Sequence, residues 1–222
     1  MSPMLSAEDD ASLSEFQGTP LIGHYRFDDQ GVPARRISVV ERGILKDFPV
    51  GRSPGKKSTA SNGHARGAFW ENPTARISNL IISAEKTASL TELREDLRRR
   101  AREFGLDHAY IARRLLLSET SRGDERLSAP ILLYKIDAAS GKETLVRNAK
   151  FSGVTLRALR DVAGASHRRH VHNFYQIGPN ELSQGQIQAS IVHPSILISE
   201  MSIKRSERKP EKLPVLKHPF FD

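Results

Sequence analysis

Short apolar runs, each broken within a few residues by Gly, Asp or Asn, constrain this chain more than any other feature: they are too short for helices, and their spacers carry tight-turn chemistry. Ile22 to Phe27, Arg35 to Val40 and Ile44 to Val50 are enriched in β-branched or aromatic residues. Between them lie Asp28-Asp29-Gln30-Gly31 and Glu41-Arg42-Gly43, whose glycines supply the positive backbone angle of a short connection. An antiparallel meander is predicted. Arg76 to Ser83, Tyr110 to Leu116, Ile131 to Ile136, Thr144 to Arg147, Val171 to Gln176 and Ile196 to Lys204 continue the strand pattern, with a turn around Ser140-Gly141-Lys142.

One segment changes period. Ser89-Leu-Thr-Glu92 has capping-box spacing, and Leu90, Leu93, Leu97, Ala101 and Phe104 then recur on one helical face until Gly105 ends it. Thr155 to Ala163 reads as a short helix capped by Thr155, with Leu156, Leu159 and Val162 on one side. The predicted class is α+β: a β-rich, mostly antiparallel, curved or barrel-like sheet with one long and one short helix packed on it.

At 222 residues the chain suits one β-rich domain with a sizeable core. The polar, acidic residues 1–20 read as the remnant of an upstream linker, 21–205 as the domain and 206–222 as a Pro/Lys-rich tail. Residues 51–68 form a long loop poor in core-forming side chains, and Glu119 to Leu127 and Ser183 to Gln186 are polar loops. The loop Gly51 to Ser58 lacks the spacing of a phosphate-binding motif.

The chain has no cysteine, so a disulfide framework is excluded. Its start lacks the basic and apolar regions of a signal peptide and no apolar run reaches membrane length, which predicts a cytoplasmic protein without membrane contact. A formal charge of +8 points toward acidic partners. However, Arg98, Arg99, Arg100 and Arg102 lie on a helix with Glu92, Glu95, Asp96 and Glu103, which reads as a solvated, self-compensating surface.

Several motifs together resemble one family. Gly23 to Arg36 reads Gly-His-Tyr-Arg-Phe-Asp-Asp-Gln-Gly-Val-Pro-Ala-Arg-Arg, Val39 to Lys46 reads Val-Val-Glu-Arg-Gly-Ile-Leu-Lys, and Ser61 to Arg66 reads Ser-Asn-Gly-His-Ala-Arg. Ala75-Arg76-x-x-Asn79, Thr155 to Leu159, Val171-His-Asn173-Phe and Pro194-Ser-x-Leu-x-x-Glu200 follow. This order resembles the C-terminal half of the TldD/PmbA family of zinc peptidases. The resemblance implies a partner of the same family in a homo- or hetero-oligomer, and unfolded peptide as substrate. The family's His-Glu-x-x-x-His zinc motif does not occur here, and neither does the cysteine that active members place near the C-terminus. No catalytic residue and no cofactor is therefore assigned to this chain, and zinc is expected in a partner or in an N-terminal half. A competing expectation, from the basic balance and the family's association with DNA gyrase control, is a nucleic-acid or regulatory binding protein; nucleic acid is disfavoured because aromatics are not interleaved with the basic runs.

Asn62, Gly63, His64 and Arg66 are the foremost substrate-binding candidates. Gly63 permits close backbone approach, Asn62 carries a donor and an acceptor suited to a peptide bond, and Arg66 can grip a carboxylate with two donors. The resemblance implies that this loop faces the substrate tunnel, with Arg76 and Asn79 supporting its wall. The alternative is a turn that only reverses the chain. Asp28 and Asp29 read as a turn signature rather than an acid/base pair. His170 and His172 share a strand face and are weak metal candidates, but no third ligand is evident, so packing on the sheet is the preferred reading. No Gly-x-Ser-x-Gly elbow supports a Ser-His-Asp assignment.

Overall fold

The structure, a computed structural model, describes residues 1–53, 60–68, 71–115, 130–152, 156–177 and 186–206. The expectations for 54–59, 119–127, Thr155, 183–185 and the tail from 207 lie outside these.

In chain order come β1 (Leu5–Asp10), β2 (Glu15–Phe16), β3 (Thr19–Pro20), β4 (Arg36–Glu41), β5 (Ile44–Leu45), β6 (Ala65–Arg66), β7 (Thr74–Ala75) and β8 (Asn79–Ala84), followed by α1 (Leu90–Glu103). Then come β9 (His108–Leu115), β10 (Pro130–Asp137), β11 (Glu143–Val146), β12 (Ala149–Ser152), a 3-10 turn at Leu156–Arg160, β13 (Val162–Ile177), β14 (Gln186–Ile198) and β15 (Ser202–Arg205). Six strands make the main sheet in the order β13-β14-β8-β1-β4-β5. All its pairings are antiparallel except β14 with β8, where Ser190, Ile191 and Val192 lie beside Asn79, Leu80 and Ile81. A parallel pairing needs a long crossover, and the chain between these strands, which includes α1, supplies one.

The strand-rich, mostly antiparallel α+β class is as predicted. Among the described residues the sheets stay open and form no closed barrel, and the short helix is the 3-10 turn. Other boundaries differ. The strand reading opens at Leu21, whereas β1 already lies between β4 and β8. Its inward positions are Leu5, Ala7 and Asp9; a carboxylate in the third of them gives the segment the composition of a linker. Ile22 to Phe27 is not a strand: at Gly23 an added Cβ would fall 2.2 Å from the Ser78 carbonyl oxygen, and Phe27 points outward at 58% exposure. Ile44 to Val50 is strand only at β5, and Ile196 to Lys204 is divided between β14 and β15. Leu21, Ile81 and Val192 form a buried cluster, with Leu13, Phe16 and Val171 packed on it.

Helix α1 begins as predicted: Ser89 Oγ accepts from the Glu92 amide at 3.1 Å, and Glu92 Oε2 accepts from the Ser89 amide at 2.7 Å. Of its apolar stripe, Ala101 is buried and Leu93 lies over Gly164, while Leu90 and Phe104 remain exposed at the two ends. Ser89→Ala is expected to lower stability by about 1 kcal/mol, seen as a lower urea midpoint at unchanged m-value. The bonds from Ser89 hold the Glu92 carboxyl below its ordinary pKa. Their contribution is therefore present above the unfolded carboxyl's pKa and is lost as pH falls through the lowered folded value. The arginine run is paired as expected, Arg98 with Glu95, Arg99 with Asp96 and Glu103, and Arg100 with Asp96. No helix among the described residues is long and apolar enough to cross a membrane.

Candidate functional site

Three of the segments that carry the motifs, 23–36, 61–66 and 75–79, meet at one place. Tyr25 Oη donates to the Gly63 carbonyl at 2.9 Å, and the Arg76 amide donates to the His64 carbonyl at 3.0 Å. Asp28 closes its own turn through Oδ1, which accepts from the Gln30 and Val32 amides at 3.0 and 2.8 Å. Its Oδ2 accepts from the Ala65 amide at 3.1 Å, so the turn also ties two loops together. Gly63 has φ +77°, and an added Cβ would lie 2.2 Å from the Pro33 carbonyl oxygen. These contacts bring Asn62, Gly63, His64, Arg66, Arg76 and Asn79 into one assembly.

Beneath that loop is a buried polar anchor. Asp9 and His64 are both fully buried, with His64 Nε2 3.5 Å from Asp9 Oδ1. His64 Nδ1 is 3.0 Å from both the backbone and side-chain oxygens of Asn62; these are acceptors, which places a proton on Nδ1. Asp9 also accepts from the Ser78 amide at 2.9 Å, the Asn79 amide at 3.1 Å and the Ser78 hydroxyl. Asn79 in turn donates to the Asp10 and Leu13 carbonyls at 3.0 and 2.8 Å. Serine, histidine and aspartate thus sit together, yet the hydroxyl donates to the carboxylate rather than to the imidazole, and all three are sealed from solvent. That order activates no nucleophile. It fixes the loop to β1 and β8.

The candidates divide by what their side chains are free to do. Asn62 accepts from the Val50 amide at 2.8 Å and donates to the Phe48 carbonyl at 3.0 Å, so its amide is engaged within the chain. Asn79 and His64 are likewise internal. Arg66 lies nearer the surface, 4.5 Å over the Tyr25 ring and 3.3 Å from Asp29 Oδ2, which also accepts from the Gly67 amide at 2.8 Å. Arg76 faces Glu71 at 3.9 Å. Burial holds the Tyr25 phenol well above its ordinary pKa; Arg66 opposes this while Asp9 and Asp28 reinforce it. Tyr25 is therefore a neutral hydroxyl donor. Asp9, Tyr25 and Ser78 were not candidates in the sequence, although the alternation Leu5, Ala7, Asp9 already marks an inward carboxylate.

His170 and His172 lie on β13, outside this network. His172 stacks on Phe174 with ring centres 5.7 Å apart, in keeping with packing on the sheet. Burial, with help from His193 and Arg168, lowers the His170 pKa and favours its neutral ring. Among the described residues no group of three or more His, Cys, Asp or Glu is placed to hold a metal ion.

The fold and these converging loops match a known class of domain: the family model for the PmbA/TldA metallopeptidase C-terminal domain matches residues 1–205. This chain belongs to that family. It is 33% identical over 161 residues to a metalloprotease of Archaeoglobus fulgidus, a match covering 69% of this chain and 32% of the relative. It is 28% identical over 137 residues to a metalloprotease of Methanocaldococcus jannaschii, covering 53% of this chain and 30% of that protein. The chain thus spans about a third of the length of these curated relatives. Among solved structures, TldE from Thermococcus kodakarensis has the same fold at TM-score 0.60 and 15% identity, over 91% of this chain and 40% of that one. A Thermotoga maritima protein named for modulation of a DNA gyrase matches at TM-score 0.62 and 18% identity, with the same coverage of 91% and 40%.

Proposed function

We propose that this chain is a metal-free C-terminal module that contributes substrate-channel wall and subunit contacts to a TldD/PmbA-type peptidase assembly. The observation that carries this reading is the convergence of the segments at 23–36, 61–66 and 75–79 on a loop anchored by Asp9, with Arg66 nearer its surface. Bound zinc in such an assembly would supply a Lewis acid and an activated water, held by three protein ligands with one position open. The residues of this loop do not fit that role. His64 is enclosed between Asn62 and Asp9, and the nearby carboxylates of Asp28 and Asp29 are taken up by backbone amides and Arg66.

What this chain offers a peptide is a rigid polar wall. Arg66 can donate to a peptide carbonyl or carboxylate from a position fixed by Asp29 and Tyr25, and Phe27 offers an exposed apolar contact on the neighbouring turn. Asn62, Gly63, His64 and Asn79 hold that wall in place. The nucleic-acid alternative draws less support, because the arginine run of α1 is neutralised by its own carboxylates.

The test is co-expression of the full chain with a zinc-bearing family subunit, followed by native mass and hydrolysis of an unfolded peptide. The expected result is a stable complex that cleaves peptide, and the absence of any complex would sink the proposal. In that complex Arg66→Ala is expected to raise KM by about tenfold, the loss of one charge-assisted contact, with kcat little changed. An unchanged KM would remove Arg66 from the substrate surface.

A further inference from the structure

Strand register selects a histidine pair that spacing along one strand does not. In the antiparallel pairing of β13 and β14, His170 lies directly opposite His193, whereas His172 lies opposite Ile191. Directly paired residues project on the same face of a sheet, so the two imidazoles are neighbours. Their ring centres are 6.1 Å apart and their planes are inclined by 42°. With metal–nitrogen bonds of about 2 Å, two imidazoles on one ion have ring centres about 5 Å apart at a tetrahedral angle and about 6.3 Å apart when opposed. The observed spacing falls inside that range.

A second observation bears on which nitrogen is available. His193 Nδ1 is 3.1 Å from the Pro194 carbonyl oxygen, which can only accept, so Nδ1 carries the proton and Nε2 keeps its lone pair. A ring N–H held by a backbone carbonyl is the arrangement that orients metal-ligating histidines and makes the second nitrogen more basic. His172 is engaged differently, flat against Phe174.

Although the module lacks the catalytic zinc, we infer that His170 and His193, away from the loop at 62–66, form a two-imidazole site for a divalent late transition ion, Cu2+ before Zn2+. Neutral imidazole suits these ions, and the affinity order among first-row metals places copper highest. With two protein ligands the remaining coordination positions fall to water. The ion would clip β13 to β14 and, by binding only the folded chain, would stabilise it.

The full chain would be titrated with Cu2+ in a buffer that does not chelate it, and bound copper followed by electron paramagnetic resonance. The expected result is one ion carrying two imidazole nitrogens, with affinity reduced at least about tenfold in both His170→Gln and His193→Gln and unchanged in His172→Gln. Failure to bind one equivalent, binding that survives both substitutions, or equal loss in His172→Gln would overturn the site. Imidazole nitrogen NMR of the unsubstituted chain supplies a readout that needs no variant. Added Zn2+ should shift two ring nitrogens, Nε2 of His193 and one of His170, and a shift of any other pair would refute the assignment.

Discussion

Replacing Asp9 with alanine is expected to lower the unfolding free energy by about 3–5 kcal/mol, the range for removing one partner from a buried charged cluster. Asp9 is fully enclosed and is the shared acceptor of the Ser78 hydroxyl and the Ser78 and Asn79 amides, while facing His64 at 3.5 Å. Without it, donors remain buried with nothing to accept from them. Asp9→Asn should also destabilise, because whichever way its amide turns, the NH2 replaces an oxygen that accepts from the Ser78 amide. Urea unfolding of the full chain reads both effects, and a midpoint within error of the parent would show that the cluster does not hold the fold. A double-mutant cycle with His64→Gln isolates the pair itself, with a coupling above about 1 kcal/mol expected.

Gly63→Ala is expected to be almost as damaging, about 2–4 kcal/mol, because two separate penalties meet at one atom. The residue has φ +77°, which a side chain disfavours, and the new methyl would sit 2.2 Å from the Pro33 carbonyl oxygen. That carbonyl belongs to backbone, so it cannot rotate away as a flexible side chain would. The loop would have to lift from the turn at 28–34, taking with it the Tyr25 bond to the Gly63 carbonyl and the Ala65 bond to Asp28. Peptide cleavage by the assembled complex should fall with it. Gly31→Ala is an informative control: its φ of +76° is equally strained, but nothing lies within 4 Å of its added Cβ. If both substitutions cost the same, contact with Pro33 contributes nothing.

Much of the fold is legible locally. The capping box at Ser89 and Glu92, the Asp28 turn, and the strands around Arg36–Glu41 and Pro130–Asp137 depend on residues within a few positions of one another. Interactions that short are written into spacing and residue type. The candidate loop was legible as well, through the family motifs it carries. The division of labour within it was not. Asn62 and His64 look suited to a ligand, yet their polar atoms are turned to Val50, Phe48 and Asp9.

What local pattern leaves open has one cause. Local pattern indicates that a segment alternates, but not which strand lies beside it or in what register, since these depend on contacts between distant residues. An acidic stretch at the start of the chain looks solvated until β4 and β8 close on both sides of it and make Asp9 an interior group. In the same way His170 gains His193 as its neighbour only because β13 and β14 pair with those two residues opposed. Composition, turn chemistry and motif order are properties of the chain alone, and they suffice for a β-rich fold and its family. Which polar groups are sealed, and which remain available to a peptide or an ion, follows from long-range strand pairing, because burial belongs to the assembled sheet rather than to any residue.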